Sequence, residues 1–364
     1  MTPRRVRATR VVVVDPNQPA PEAVALAADV IRAGGLVAFP TETVYGLGAA
    51  ALDAAAVAGI FDAKERPATD PLIVHVAAPS DLAAVSARVP PAAQALAARF
   101  WPGPLTLVVP RAPSVPAVVA AGLDTLAVRV PDHPVARAIL EAAAVPVAAP
   151  SANRFSRPSP TTAAHVLADL DGRIDLVVDA GPTSIGVEST IVDCVADPPV
   201  VRRAGGVPIE ALARVVPDVA AALHVAASPA EAQVAPGQLL RHYAPAARLT
   251  AFSGAPDAVA GRLARDARQQ VGAGVRLGIL APDEVLVALA PAVAAAASGG
   301  RVVVESLGPW RRPEAAARAL FAALRRLDDA GVHVILAAGP EPLGLGAAVW
   351  DRLRRAAEGR IVVV

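Results

Sequence analysis

The sequence predicts an α/β fold in two domains, and three observations lead there. Short apolar runs of strand length alternate with longer stretches of helical periodicity along the chain. Polar motifs fall directly after the apolar runs, where ligands sit in α/β sheets. A segment of linker composition, residues 226–237, interrupts the alternation. A chain of 364 residues, 54% of them hydrophobic, can fill two cores.

The elements follow in order. Residues 11–14 are the first strand candidate. Residues 21–32 have helical periodicity, with Pro21 suited to a first turn and Gly34-Gly35 as a stop. Residues 36–39 read as a short buried strand and residues 40–48 as the loop after it. Asp53 can cap a helix running to about residue 63. Residues 72–76 are again a strand, followed by helical stretches at 81–88 and 91–100. Trp101-Pro102-Gly103-Pro104 breaks the chain sharply. Strand candidates follow at 105–109, 126–130, 145–148 and 174–178, with helices near 133–143 and 162–170. Residues 191–194 and 200–203 are two late strands. Beyond the linker, residues 249–252, 275–280, 302–304, 332–337 and 361–364 read as strands of a small parallel sheet. The clearest helices between them are 313–330 and 347–358. No phosphate-loop signature opens this second domain, and the two halves show no internal repeat.

Bulk properties narrow the function. The net charge of +1 gives no global polybasic signal for nucleic acid or membrane. The single cysteine, Cys194, excludes an intrachain disulfide and fits a reducing compartment. The basic N-terminus leads into a valine run too short for a signal sequence. The apolar stretch 285–300 is interrupted by Pro291 and falls short of the roughly 20 residues that span a bilayer. The chain reads as soluble and cytoplasmic, with no membrane partner.

Scarce residues mark the chemistry. Lys64 is the chain's one lysine, in Lys64-Glu65-Arg66-Pro67. An ammonium is not interchangeable with a guanidinium where a point charge must meet a phosphate or carboxylate; the competing reading is compositional drift. The two tyrosines also fall in motifs: Tyr45 in Pro40-Thr41-Glu42-Thr43-Val44-Tyr45-Gly46, and Tyr243 in Arg241-His242-Tyr243-Ala244-Pro245. Asn153, one of two asparagines, stands in Ser151-Ala152-Asn153.

Together with Pro71-Leu72-Ile73-Val74-His75, Arg129-Val130-Pro131 and Ser189-Thr190-Ile191-Val192-Asp193, these motifs closely resemble the YrdC/Sua5 family of threonylcarbamoyl-AMP synthases. The Arg241–Pro245 element and the tail around Ser306-Leu307-Gly308 resemble the long, Sua5 form. The resemblance implies a YrdC-like twisted mixed sheet with helices around a concave basic cleft over residues 12–215. It implies a linker and lid over 216–246 and a small Rossmann-like domain over 247–364. The implied reaction joins L-threonine, bicarbonate and ATP into threonylcarbamoyl-adenylate and pyrophosphate, with Mg²⁺ accompanying ATP and no protein metal site. The product would pass to the machinery that modifies tRNA adenosine at position 37; direct tRNA binding is left open.

Attack on the α-phosphate gathers many anionic oxygens, so positioning and charge neutralisation dominate. Lys64 and Arg66 point to one side if their segment is extended, giving a point charge and a fork for triphosphate and carbonate. Ser151 and Asn153 repeat that spacing with neutral groups, unless they form only a turn. The family roles make Lys64, Arg66, Ser151 and Asn153 catalytic. They give Arg66, Asp70, Thr125, Ser151, Ser159, Arg203 and Tyr243 to ATP, and Thr43, His75, Arg129, Ala149 and Ser189 to threonine. Arg129 suits a carboxylate, against a plain strand-surface charge; His75 could instead be a satisfied core histidine. Asp70 departs from the family's usual asparagine. A carboxylate cannot donate to a phosphate, so it fits ATP only through Mg²⁺ or the adenine amino group. Arg202 and Arg203 with Gly205-Gly206 form either a phosphate-facing turn or a strand end. Arg241 and Tyr243 would close a lid bending at Pro236-Gly237; the alternative is a spacer whose tyrosine packs on the tail domain. An RNA-binding module of the same fold is disfavoured by neutral charge and few aromatics. A carbamoyl-transfer relative is disfavoured by the lack of zinc-finger cysteines.

Overall fold

The computed structural model describes residues 8–222, 233–237, 239–240 and 242–364. Arg241 and most of the linker stretch named above therefore lie outside the described residues. The chain divides into two compact units; Ser156–Pro158 and Leu239–Val364 form the second, and the remaining described residues form the first.

The first unit runs β1 (Arg10–Val13), α1 (Pro21–Arg32), β2 (Val37–Phe39), β3 (Gly46–Ala50), α2 (Ala54–Lys64), β4 (Ile73–His75), α3 (Leu82–Val85), α4 (Pro91–Phe100), β5 (Leu105–Pro110), β6 (Thr125–Arg129), α5 (Pro134–Ala143), β7 (Val147–Ala148), α6 (Ala163–Leu170), β8 (Leu176–Asp179), β9 (Thr190–Asp193), β10 (Val200–Arg203), α7 (Ile209–Ala213) and β11 (Ala220–Ala221). Its strands form a mixed sheet in the order β1-β8-β2-β3-β7-β4-β6-β5-β9-β10-β11. One apolar layer, with Leu47, Ile60, Leu72, Val128 and Leu107, packs on one side. A second, with Ile31, Phe39, Ile139, Leu140 and Val178, lies between the sheet and helices α1 and α5.

Three local expectations are corrected. The loop predicted at 40–48 ends early, because Gly46–Ala50 is a strand pairing antiparallel to β2 and β7. A Gly-Leu-Gly-Ala-Ala run carries little strand propensity of its own. Gly48 is there for steric reasons: a Cβ on it would meet the Phe39 ring at 2.6 Å. The helix predicted at 81–88 shrinks to α3, because Ser86 leaves it to bridge Arg111 across the sheet edge. The Lys64–Arg66 segment is not extended. Asp53 caps α2 through the amides of Ala55 and Ala56 at 2.8 and 3.2 Å, and α2 runs on to Lys64 before Glu65 turns left-handed (φ 56°).

The second unit runs β12 (Arg248–Ser253), α8 (Pro256–Gly272), β13 (Leu277–Ala281), α9 (Asp283–Ser298), β14 (Val302–Ser306), α10 (Pro313–Asp329), β15 (Val334–Ala338), α11 (Leu345–Ala356) and β16 (Ile361–Val363). Its sheet, ordered β14-β13-β15-β12-β16, is parallel throughout. The apolar stretch at 285–300 falls in α9, whose Val285, Leu289 and Val293 are buried against the sheet. Among the described residues, no helix is long and apolar enough to cross a membrane.

Candidate functional site

The predicted site residues of the first unit gather at strand ends and the loops after them. Strands β4 and β6 run parallel, with His75 opposite Arg129 and Ile73 opposite Ala127. Continuing that register places Thr125 beside the Asp70-Pro71 segment. Four residues of strand separate Thr125 from Arg129, roughly 13 Å. The strand pair therefore has two chemically distinct ends.

At one end Arg129 is buried. Its Nη1 donates to Thr43 Oγ1 at 2.9 Å and its Nε to the Gly103 carbonyl at 3.2 Å. Its Nη2 lies 2.6 Å from Glu42 Oε1, an ion pair off the angle of a hydrogen bond. Arg129 is thus neither a surface charge nor an unaccompanied cation. The Thr43 hydroxyl also meets the Thr41 hydroxyl at 2.7 Å, and the Gly186 amide fixes the Thr43 carbonyl. His75 is buried, with no hydrogen bond at Nδ1 among the described residues, and its ring interacts with the Ile73 backbone. Burial, then the charge of Arg129, pushes its pKa down to about 3, leaving a neutral imidazole. Ala149 donates its amide to the Ile73 carbonyl at 2.8 Å, which lays its backbone along β4.

At the other end lies the cation cluster. Lys64, 1% exposed, donates from Nζ to the carbonyls of Ser151 and Asn153 at 2.5 and 2.6 Å. Lys64 thus meets these two residues through their backbone, while Asn153 Nδ2 donates to the Arg154 carbonyl at 2.7 Å. Burial, then neighbouring Arg66, hold the Lys64 pKa well below the usual lysine value, against the pull of Asp70 and Asp169. Arg66 donates to the carbonyls of Asp70 and Pro71 at 3.0 and 2.7 Å, and its Nη2 lies 2.9 Å from Asp70 Oδ1. Asp70 is buried and its pKa is raised by that burial, with Arg66 the largest opposing influence, then Lys64, the Gly237 amide and Arg203. A helix end followed by one left-handed residue, rather than an extended pair, brings Lys64 and Arg66 into one cluster.

A third set closes round β9 and β10. Arg203 Nε donates to the Ser189 carbonyl at 3.1 Å, Nη2 to Ser189 Oγ at 3.2 Å, and Nη1 to the Pro236 carbonyl at 3.3 Å. The Ser189 and Thr106 hydroxyls meet at 2.7 Å, and Ser159 Oγ donates to Glu188 Oε1. Residues 233–237 lie over this region. The Gln233 amide bonds the Thr69 carbonyl at 3.0 Å, and Ala235 is buried among Ile73, Val108, Ala127 and Ile191. Gly205 lies tight on the Glu188–Thr190 backbone, where a Cβ would come within 2.3–2.4 Å. Arg202 departs from its neighbour and pairs with Asp193 at 2.7 Å, a strand-end role.

Tyr243 belongs to the second unit. It is 1% exposed, with its ring 5.4 Å from that of Phe321 and the Arg352 guanidinium 5.3 Å above it. The sequence reading missed Glu42, Glu188 and Thr106. Glu42 was the findable one: it is the single carboxylate inside a motif otherwise made of neutral residues, and a buried carboxylate needs a partner.

The Sua5/YciO/YrdC family model, described as telomere recombination, matches residues 29–205, and the threonylcarbamoyl-AMP synthase C-terminal domain model matches residues 207–358. A threonylcarbamoyl-AMP synthase of Pyrococcus abyssi is 44% identical over 93% of this chain and 95% of its own. One of Bacillus subtilis is 41% identical over 93% and 94%. The crystal structure of Pyrococcus abyssi Sua5 complexed with L-threonine superposes with a TM-score of 0.89 at 42% identity, covering 98% of this chain and all of the other.

Proposed function

The chain belongs to the Sua5/YrdC family of threonylcarbamoyl-AMP synthases, and on that premise we propose how its residues divide the reaction. The chain makes threonylcarbamoyl-AMP from L-threonine, bicarbonate and ATP and releases pyrophosphate. The observation that carries the division is the β4–β6 register, which sets His75 and Arg129 apart from Lys64, Arg66 and Asp70. An amino acid fits the first end and a nucleotide the second.

Threonine's carboxylate meets the Arg129 N–H groups left over from Thr43, Gly103 and Glu42. Its hydroxyl is read by Thr43 and Ser189, with Ala149 and neutral His75 completing the wall. An ammonium has three donors, and two of those on Lys64 are fixed by carbonyls, so the third points at a carbonate oxygen. Once the amine carries the carboxylate derived from bicarbonate, with loss of water, a carboxylate oxygen attacks the α-phosphate and pyrophosphate leaves. Arg66 and Arg203 neutralise phosphate charge, Ser151 and Ser159 add hydrogen bonds, and Asn153 lends its backbone carbonyl to Lys64. Thr125 and Asp70 meet the nucleotide. Residues 233–237 act as the cover that keeps water from the carboxylated amine and the mixed anhydride.

Mg²⁺ fits as a companion of the triphosphate. Among the described residues, no three His, Cys, Asp or Glu side chains gather to hold a metal. Mg²⁺ usually takes phosphates plus one or two carboxylates. Asp70, which pairs with Arg66 and sits beside the Gly237 amide, is the carboxylate that would meet it; when bound, the ion would neutralise phosphate charge. The adenylate then serves tRNA threonylcarbamoylation in the cytoplasm through a separate transferase. The test is pyrophosphate release with ATP: it should require both threonine and bicarbonate. An equal rate without either would leave only an ATPase.

A further inference from the structure

The two hydroxyls assigned to the threonine side chain flank the Arg129 end of β6. Strand β5 pairs antiparallel with β6, with Leu107 opposite Val128, and parallel with β9, with Thr106 opposite Ile191. Continuing the first register by one residue places Thr106 beside Arg129. Thr43 is hydrogen-bonded to the Arg129 guanidinium, and Ser189 to the Thr106 hydroxyl. Thr43, Thr106 and Ser189 are each 1% exposed or less. In such a site every hydroxyl has one proton to place and two lone pairs to fill, and a proton without an acceptor is costly.

The accounting for Thr43 ends on an acceptor. The Thr41 hydroxyl lies 2.7 Å from the Val44 carbonyl, which can only accept, so the Thr41 proton goes there. The 2.7 Å contact between Thr41 and Thr43 is then made by the Thr43 proton. Arg129 Nη1 fills one Thr43 lone pair at 2.9 Å. What Thr43 has left to offer is its second lone pair.

Ser189 comes out the other way. Arg203 Nη2, which can only donate, fills one lone pair of Ser189 Oγ at 3.2 Å. The second contact is Thr106 Oγ1 at 2.7 Å, where the distance fits either direction. Thr106 is fully buried, and its hydroxyl has no other hydrogen bond among the described residues. If Ser189 donated to it, the Thr106 proton would have no acceptor with or without substrate. If Thr106 donates, both Ser189 lone pairs are filled and the Ser189 proton is left for an oxygen entering the pocket. A substrate oxygen therefore satisfies both protons in this direction only, and its binding selects that direction.

We propose that Thr106 is a specificity-determining positioning residue: by donating to Ser189 it makes Ser189 a donor, so that the substrate hydroxyl accepts from Ser189 and donates to Thr43. The proposal rests on the assignment of Thr43 and Ser189 to the threonine hydroxyl. A hydroxyl both donates and accepts, and so matches this pair. An ether oxygen or an ammonium fills half of it, and a methyl none. Thr106 itself does not touch substrate.

The experiment compares wild type, Thr106→Val and Thr106→Ser in the full chain. Calorimetry gives the Kd for threonine and for 2-aminobutyrate, which is threonine without its hydroxyl. Valine keeps the branched shape and strand preference of Thr106 and loses its donor. Thr106→Val should weaken threonine about threefold to tenfold, the size of one neutral hydrogen bond, and leave 2-aminobutyrate unchanged. Thr106→Ser should bind threonine as wild type does. An equal loss for both ligands marks a merely structural role and overturns the proposal. So does a Thr106→Val protein that keeps the wild-type preference, or a serine variant no better than valine. Equal binding of the two ligands by wild type is a different failure: the hydroxyl is not read at all, and the assignment falls together with the proposal. Should Thr106→Val not fold, the direction is read from Ser189→Ala with serine and O-methylserine, whose ether oxygen accepts but cannot donate. A donating Ser189 serves both, so Ser189→Ala should weaken both by the same factor. A loss confined to serine means that Ser189 accepts, and overturns the proposal.

Discussion

Replacing Lys64 by arginine keeps the charge and removes the geometry. The lysine pocket is closed, with the side chain 1% exposed and two of its three N–H donors committed to Ser151 and Asn153 at 2.5 and 2.6 Å. A guanidinium can serve both carbonyls with its fork, but it brings extra heavy atoms into a filled site, which costs about 1–3 kcal/mol of stability. Its charge is spread over a plane instead of ending at a point, so no donor remains aimed where the third lysine proton points. Loss of one preorganised donor to a developing anion lowers a rate by about 10²–10³. Lys64→Arg should therefore fold, melt several degrees lower, and lose about two orders of magnitude or more in adenylate synthesis. Lys64→Met is the poorer probe, because it leaves two buried carbonyls without a donor at about 1–3 kcal/mol each and confounds stability with chemistry. The assay is pyrophosphate release with all three substrates, alongside a thermal melt. A Lys64→Arg protein working at near wild-type rate would show that the lone lysine is an accident of composition and that the pocket does not read a point charge.

Two further outcomes follow from the amino-acid end. His75 has a folded-state pKa of about 3 against roughly 6.5 unfolded, so between those values the unfolded chain binds the extra proton and stability falls as pH drops. Between pH 6.5 and 5 the loss is about 2 kcal/mol, so denaturant midpoints at pH 7.5 and 5 should differ more in wild type than in His75→Gln; parallel behaviour would acquit His75. If Thr43 and Ser189 read the threonine hydroxyl, valine should be a far worse substrate than serine, because a site built to hydrogen-bond a hydroxyl leaves buried groups unpaired without it. Comparable turnover of valine in the pyrophosphate assay would remove hydroxyl reading from the pocket.

The alternation of strands and helices was legible because periodicity and breakers are local properties, and the second unit's parallel sheet followed from them. What escaped the sequence depended on distant partners. Gly46–Ala50 is a strand only because β2 and β7 flank it, and no residue in it favours that state alone. The rare residues Lys64 and Asn153 stand together with Ser151 in one hydrogen-bonded cluster. That meeting was not legible, since the sequence reading set Lys64 beside Arg66 on an extended segment, whereas Lys64 ends a helix and donates to the backbone carbonyls of Ser151 and Asn153. Glu42 went unread because its role is defined by Arg129, some 87 residues away in sequence, and only the fold brings the two together.

The remaining surprise is Asp70, and it bears on how the site stays folded without substrate. Lys64, Arg66, Arg129 and Arg203 are all buried, and buried cations must be accompanied. Each is: Lys64 and Arg203 largely by carbonyls, Arg129 by Glu42, Arg66 by Asp70. A triphosphate entering this cluster competes with those partners for the same N–H groups. When it draws Arg66 away, Asp70 loses the largest influence opposing its raised pKa, and the incoming negative charge raises it further. The carboxylate then has two ways to shed its charge, a proton or Mg²⁺. Binding of ATP without Mg²⁺ should therefore take up protons, and added Mg²⁺ should suppress the uptake. Calorimetric titrations of ATP in buffers of different ionisation enthalpy, at the same pH, measure that uptake directly. Asp70→Asn, which cannot ionise and restores a donor, should make the binding enthalpy independent of buffer and weaken the dependence on Mg²⁺. If wild type and Asp70→Asn show the same buffer dependence, Asp70 keeps its partner when the nucleotide arrives and Arg66 never turns to the phosphates.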